Sequence, residues 1–251
     1  MLKVVEAFSG IGAQKQALEK LNIEHEIINT IEWDINAIYA YDIMHHNDNS
    51  PSKLSKHEII ERLANVTLSP DGKKPFSDNG LYRIKEEKLQ KLYAAIRRNN
   101  NLCDITQVSG DMIPDDTDLL TYSFPCQDLS IGSVWYNKDN DGIRKGAKTR
   151  SGLLWEIERI LRERIMINVP LPKFLLMENV NAITSPKHNP NFVQWQEELE
   201  SMGYTNKVYK GLNALDFGVP QSRSRTFMLS IRNKDIEPEE ISNLNYNIQS
   251  N

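Results

Sequence analysis

The opening of the chain limits its fold more than any other stretch. Leu2 to Ala7 is an apolar run broken at once by Ser9-Gly10-Ile11-Gly12-Ala13. Helical spacing then resumes from Ala13, with Ala17, Leu18 and Leu21 on one face. A strand, a glycine-bearing turn and a helix form the first unit of a nucleotide-type α/β fold. A second strand, His25 to Ile31, ends in Glu32-Trp33-Asp34, and a helix carrying Ile38, Tyr39, Tyr41 and Ile43 follows. The spacing GxG lacks the third glycine of the dinucleotide fingerprint, and no phosphate-binding lysine follows it, so a nicotinamide enzyme is disfavoured.

Residues 47–101 interrupt this rhythm. They contain the turn-rich stretch Ser69 to Gly80, flanked by helical patterns at His57 to Leu63 and Glu86 to Ile96. The pattern predicts a helical insertion packed outside the sheet. Beyond it the expected elements are a short run Leu102 to Ile105 and a strand Asp118 to Ser123. A helix Ser151 to Arg164, capped by its serine, follows, then a buried strand Pro172 to Met177 and a helix Phe192 to Met202 stopped by Gly203. Two more strands, Tyr204 to Gly211 and Arg225 to Ile231, complete the series. Residues 232–251 are polar and asparagine-rich and read as a tail or linker.

Composition bounds the setting. With 251 residues, 39% of them hydrophobic and 25% charged, the chain has material for one large domain with a full core. Its beginning has no signal-peptide pattern, no stretch is long and apolar enough to span a membrane, and there are only two cysteines. A cytoplasmic protein without disulfides is the expectation. A net charge of -4 argues mildly against nucleic-acid binding. Residues 136–150 run the other way, with Lys138, Arg144, Lys145, Lys148 and Arg150 against Asp139 and Asp141, a local excess of 5 - 2 = +3.

The chemically unusual residues fall at expected strand ends, where open α/β sheets bind their ligands. They are Phe8, Ser9, Gly10 and Gly12, then Glu32 and Trp33, Asp104, Pro125 and Cys126, and Glu178 with Asn179. The glycines suit close approach of a ligand to backbone. Glu32 has the place of an acid that accepts ribose hydroxyls, Trp33 offers a face to a base, and Asp104 a carboxylate to an adenine amino group. Cys103 reads as a buried hydrophobe. Cys126 by itself is equally readable as a small buried residue or as a nucleophile, although its place beside a basic, glycine-bearing loop favours an accessible thiolate. Arg223 and Arg225, two apart before a strand, share one face.

These residues resemble the C5-cytosine-specific DNA methyltransferases. The matching stretches are Ala7 to Ala13, Glu32 to Asp34, Asp104-Ile105, Ser123 to Ser130, Arg150 to Leu161, Leu175 to Val180 and Gln221 to Arg225, in family order. Their wording is most similar to the mollicute-type enzymes that methylate CG dinucleotides. The resemblance implies a Rossmann-like, S-adenosylmethionine-dependent methyltransferase fold, a mostly parallel sheet with helices on both faces. It implies a catalytic domain over residues 1–231. Carried over, it makes Cys126 the nucleophile that adds to C6 of a cytosine flipped out of double-stranded DNA. Glu178 would hold ring N3 and the amino group, Arg225 the O2 side, and Arg223 would position Glu178. Phe8, Ser9, Gly10, Gly12, Glu32, Trp33, Asp104, Ile105 and Pro125 would shape the S-adenosylmethionine pocket, which is left holding S-adenosylhomocysteine. Gln127, Ser130, Arg144, Lys148 and Arg150 would contact DNA. The family pattern continues past Arg225 into a target-recognition region that this sequence lacks. A second polypeptide carrying that region, within a restriction-modification system, is therefore expected, the alternative being a truncated or decayed product. The competing readings are a non-catalytic cofactor-binding subunit and an RNA cytosine-C5 methyltransferase.

Overall fold

The computed structural model describes residues 1–126, 129, 142–146, 149–235 and 240. They divide into two compact units, Met1–Val108 and Ser109–Asn251.

In the first unit β1 (Leu2–Ala7) pairs in parallel with β2 (His25–Ile31), and α1 (Ala13–Lys20) joins them. No residue of α1 is buried, and Ala17 and Leu21 are exposed, so the expected apolar face does not enter the core of this unit. The helix is instead tied by its backbone: the Lys15 amide donates to the Glu6 carboxylate at 2.9 Å. Helix α2 (Ile35–His45) begins at Asp34, whose carboxylate accepts the Asn36 amide. It buries Ile38 and Tyr41, while Ile43 points outward. The 47–101 segment supplies α3 (Lys56–Arg62), which opens with a Ser55/Glu58 capping box, and the amphipathic α4 (Glu86–Arg98). Ile59, Leu63, Leu89, Leu92 and Ile96 of this segment join Ile35 and Ile38 of α2 in one apolar cluster. An ion pair between Arg98 and the buried Asp42 ties α4 to α2. The run Leu102 to Ile105 is not a strand. Asn101 makes a single bridge to Thr30, and residues 105–107 turn as a 3-10 helix.

In the second unit β3 (Leu119–Tyr122) pairs in parallel with β4 (Phe174–Val180). β4 pairs antiparallel with β6 (Ser224–Arg232), and β6 antiparallel with β5 (Tyr204–Asn213). Strand direction is thus mixed here, because residues 214–223, with a 3-10 turn at Ala214–Phe217, join β5 to β6 as a hairpin loop rather than a helical crossover. β4 runs three residues further than expected, so Glu178 and Asn179 lie inside it. The helix expected from Ser151 starts as a 3-10 turn, Ser151–Leu153, and continues as α5 (Leu154–Met166). Ser151 lies inside this turn and does not cap it; the residue before it, Arg150, makes no side-chain cap, and the Gly152 amide is taken by Thr149 Oγ1 at 3.0 Å. Helix α6 (Asn189–Ser201) follows β4. Tyr122, Trp155 and Trp195 meet edge to face at the centre, with the Trp195 indole donating to the Tyr122 hydroxyl. No helix among the described residues is long and apolar enough to cross a membrane.

Candidate active site

The first unit brings together the turn 8–12 and the residues after β2. Phe8 adopts φ 55°, a conformation that costs a non-glycine residue about 1–2 kcal/mol and that recurs at functional turns. Gly10 has φ 53°, and a Cβ built there would meet nothing within 4 Å, so its backbone borders open space. Its amide donates to Glu32 Oε2 at 3.0 Å, while Glu32 Oε1 accepts the Asp34 amide at 2.9 Å. Burial pushes the Glu32 carboxyl above the ordinary carboxylate range, and the Asp34 and Gly10 amides oppose the shift. Trp33 is half-buried beside it. Asp104 spends one oxygen on the Thr106 amide and hydroxyl, and the Ile105 side chain is buried.

Gly12 differs from Gly10. A Cβ there would overlap His45 Nε2 and lie 2.8 Å from Tyr41 Cε2. Its absent side chain is filled by protein, so the expected part of Gly12 in the cofactor pocket has a competing packing explanation. Asn101 escaped the sequence reading. Its Oδ1 accepts the Glu32 and Cys103 amides and its Nδ2 donates to the Glu32 carbonyl, fixing both chain segments. Nothing local in a run of three asparagines marks it out.

The second unit assembles the other group. Tyr122, the last residue of β3, is in register with Met177 of β4, so Cys126 lies four residues beyond the strand end that neighbours Glu178. Cys126 is a half-buried free thiol. Two side chains hold the backbone leading to it. Ser151 Oγ donates to the Pro125 carbonyl at 2.7 Å, and Asn179 Nδ2 donates to the Phe124 carbonyl at 3.1 Å. The sequence suggests a helix cap for Ser151 and no particular work for Asn179.

Glu178 receives both arginines. Arg225 Nε lies 2.9 Å from Glu178 Oε1, and Arg223 Nη2 lies 3.9 Å from the same atom. The short contact belongs to Arg225, although the sequence suggests Arg223 as the residue that positions Glu178. Arg223 is half-exposed, which leaves its guanidinium open to another anion.

The basic loop is described only in part. Gln127, Ser130 and Lys148 lie outside the described residues. Arg144 is exposed and Arg150 half-buried. Lys145 is not a spare cation, because its Nζ sits 2.8 Å from both Glu158 and Glu198 and 5.0 Å from the centre of the Trp155 ring. The local positive excess therefore overstates what phosphate would meet. Among the described residues no cluster of His, Cys, Asp and Glu suits a metal ion.

The family described as C-5 cytosine-specific DNA methylase matches residues 81–251. An orphan methyltransferase, M.SssI of Spiroplasma monobiae, is 43% identical over 94% of this chain and 61% of its own length. The type II methyltransferase M2.ScrFI of Lactococcus lactis is 38% identical over 93% of this chain and 62% of its own. The chain thus spans about three-fifths of these relatives. The crystal structure of the S. pombe Dnmt2 methyltransferase superposes with a TM-score of 0.55 at 22% identity, over 93% of this chain and 51% of that one, a likeness of fold.

Proposed function

The chain belongs to the C-5 cytosine-specific DNA methylase family, and on that premise we propose that it is the catalytic part of a DNA (cytosine-5-)-methyltransferase. The observation that carries the reading is the grouping in the second unit. A free cysteine follows β3, and a carboxylate on the adjoining β4 is held 2.9 Å from an arginine on β6.

The first unit suits S-adenosylmethionine. The open side of Gly10 admits a ligand against the backbone, and Glu32 is already oriented by two amides. Trp33, Asp104, Phe8 and Ser9 of the same unit would complete the pocket. Bound there, the cofactor would supply an electrophilic methyl group. The protein's part is to make cytosine a nucleophile. Cys126 Sγ forms a bond to C6, the C5–C6 double bond opens, and electron density gathers at C5. Proton delivery to N3 through the Glu178 carboxyl offsets the negative charge that the ring takes up as the thiolate adds, and the Arg225 contact keeps that carboxyl in place. A base inside a duplex is out of reach of such a thiol, so the target cytosine has to leave the helix. Arg144 and Arg150 suit phosphate contacts.

Choice of target is assigned to sequence corresponding to the rest of the relatives' length. The test is trapping. The chain is mixed with a polypeptide carrying that remaining part, S-adenosylmethionine and a duplex holding 5-fluorocytosine. A covalent protein–DNA complex that survives denaturation and disappears in Cys126→Ser is the expected result. Methylation of ordinary duplex without any trappable complex would overturn the covalent route. Transfer to RNA in place of duplex DNA would overturn the substrate.

A further inference from the structure

We infer that Tyr41 and His45 of α2 are positioning residues for the cofactor turn, holding residues 8–12 in the shape that leaves Gly10 open. The inference rests on the reading of this turn as the S-adenosylmethionine site. It starts from the contrast between the two glycines. Gly10 faces space, whereas Gly12, at φ 82°, is the seat on which the His45 and Tyr41 rings rest. Only glycine fits that seat, on grounds of both conformation and volume.

A closed set of contacts surrounds it. His45 Nε2 lies 2.9 Å from the Ile11 carbonyl. A carbonyl can only accept, so Nε2 carries the proton. The His45 ring lies 4.6 Å from the Tyr41 ring, tilted by 54°. The Tyr41 hydroxyl donates to Glu6 Oε2 at 2.6 Å, and Glu6 Oε1 accepts the Lys15 amide in the first turn of α1. Lys15 Nζ returns to the His45 carbonyl at 3.3 Å. Glu6 is fully buried in β1. Strand β1, helix α1 and helix α2 are thus linked across the turn, whose Ile11 carbonyl is held from outside. Glu32 holds the same turn from the other side through the Gly10 amide. With the Ile11 carbonyl released, the Phe8 and Gly10 conformations lose one of the contacts that enforce them.

The experiment is calorimetric titration of the full chain with S-adenosylmethionine, paired with thermal melting. His45→Ala is expected to weaken binding roughly five- to tenfold, the equivalent of one lost hydrogen bond. His45→Gln, whose amide can donate to the Ile11 carbonyl, is expected to recover most of the affinity. Tyr41→Phe keeps the ring on Gly12 and tests the hydroxyl link to Glu6 alone, with a loss of about threefold. Ile43→Ala, on the exposed face of the same helix, is expected to bind as wild type does. Each titration is run well below the variant's melting temperature, so a general loss of stability does not register as weak binding. If His45→Ala and His45→Gln both bind like wild type, the positioning role is overturned while the cofactor reading stands. If His45→Gln is as weak as His45→Ala, the hydrogen bond is not the link and the inference also falls. If wild-type chain takes up no S-adenosylmethionine, the reading of the turn fails, and this inference with it.

Discussion

The two cysteines of this chain occupy similar places in sequence and opposite surroundings in space. Cys103 precedes Asp104 in the first unit and belongs to the apolar cluster of α2, α3 and α4. Its thiol is pushed up to about 12, first by burial and then by the negative charges of Glu32 and Asp104. Cys126 sits in the second unit, half-exposed, on backbone held by Ser151 and Asn179, at the strand end that neighbours Glu178. Reactivity in a cysteine comes from access and from the groups that face it, and neither is written in the residue itself. The difference teaches that the candidate site of the first unit is built around a carboxylate, Glu32, held by amides, and that of the second around a carboxylate, Glu178, held by guanidinium groups.

The sharpest way to break this contrast is to remove the nucleophile. Cys126→Ser is expected to lower methyl transfer by at least about a thousandfold in an assay supplemented with a polypeptide corresponding to the rest of the relatives' length. Binding of S-adenosylmethionine by calorimetry should stay within about twofold of wild type. A variant that transferred methyl groups at wild-type rate would place the chemistry elsewhere. Next comes the arginine pair. Arg225→Ala leaves Glu178 without its partner at 2.9 Å and is expected to cost about a hundredfold in kcat. Arg223→Ala, whose contact is 3.9 Å and half-exposed, should cost about tenfold, chiefly in KM for DNA. Kinetics in which Arg223→Ala is the more damaging for kcat would return the positioning role to Arg223.

Much of this was legible in the chain. The strand–turn–helix opening and the two helices of the 47–101 segment follow from local pattern, because apolar period and turn chemistry are local properties, whereas the roles expected of Cys126 and Glu178 rest on the family resemblance. What escaped was long-range. Asn101 holds Glu32 across 69 positions, and nothing in its neighbours announces that. Ser151 looked like a helix cap because serine before an apolar run usually is one. Thr149 takes the Gly152 amide instead, and the Ser151 hydroxyl goes to the Pro125 carbonyl. Helix α1 carries an apolar face in sequence, yet Ala17 and Leu21 are exposed and Leu18 is only half-buried. The lone acid in Leu2–Ala7, Glu6, was the one visible signal for the Tyr41 and His45 contacts, since a carboxylate in a buried strand requires partners.

Ser151→Ala tests whether the hold on Pro125 matters to Cys126. The hydroxyl is the donor to that carbonyl, and losing it frees the backbone one residue before the thiol. A fall of about tenfold in kcat with little change in S-adenosylmethionine affinity is expected, since small displacements of a nucleophile cost rate more than binding. Ser151→Thr, which keeps a hydroxyl, should recover part of it. An unchanged kcat in Ser151→Ala would show that Asn179 alone suffices to place the loop.

The smallest effect is expected at the other thiol. Cys103→Ala should change methyl transfer less than about twofold, because the side chain serves as a small buried apolar group. Its titration supplies the more informative measurement. A thiol whose pKa rises from 9.0 to about 12 on folding stays protonated in the native chain where the unfolded chain has already ionised. Its contribution to stability is therefore complete below pH 9.0 and is lost progressively as pH climbs towards 12. Iodoacetamide at neutral pH should accordingly label Cys126 and spare Cys103, with labelling of Cys103 rising only as alkali ionises the thiol or opens the cluster. Peptide mapping after brief alkylation reads both sites in one sample. Equal labelling of the two cysteines at neutral pH would mean that burial and the charges of Glu32 and Asp104 do not protect Cys103, and the contrast between the two units would lose its chemical basis.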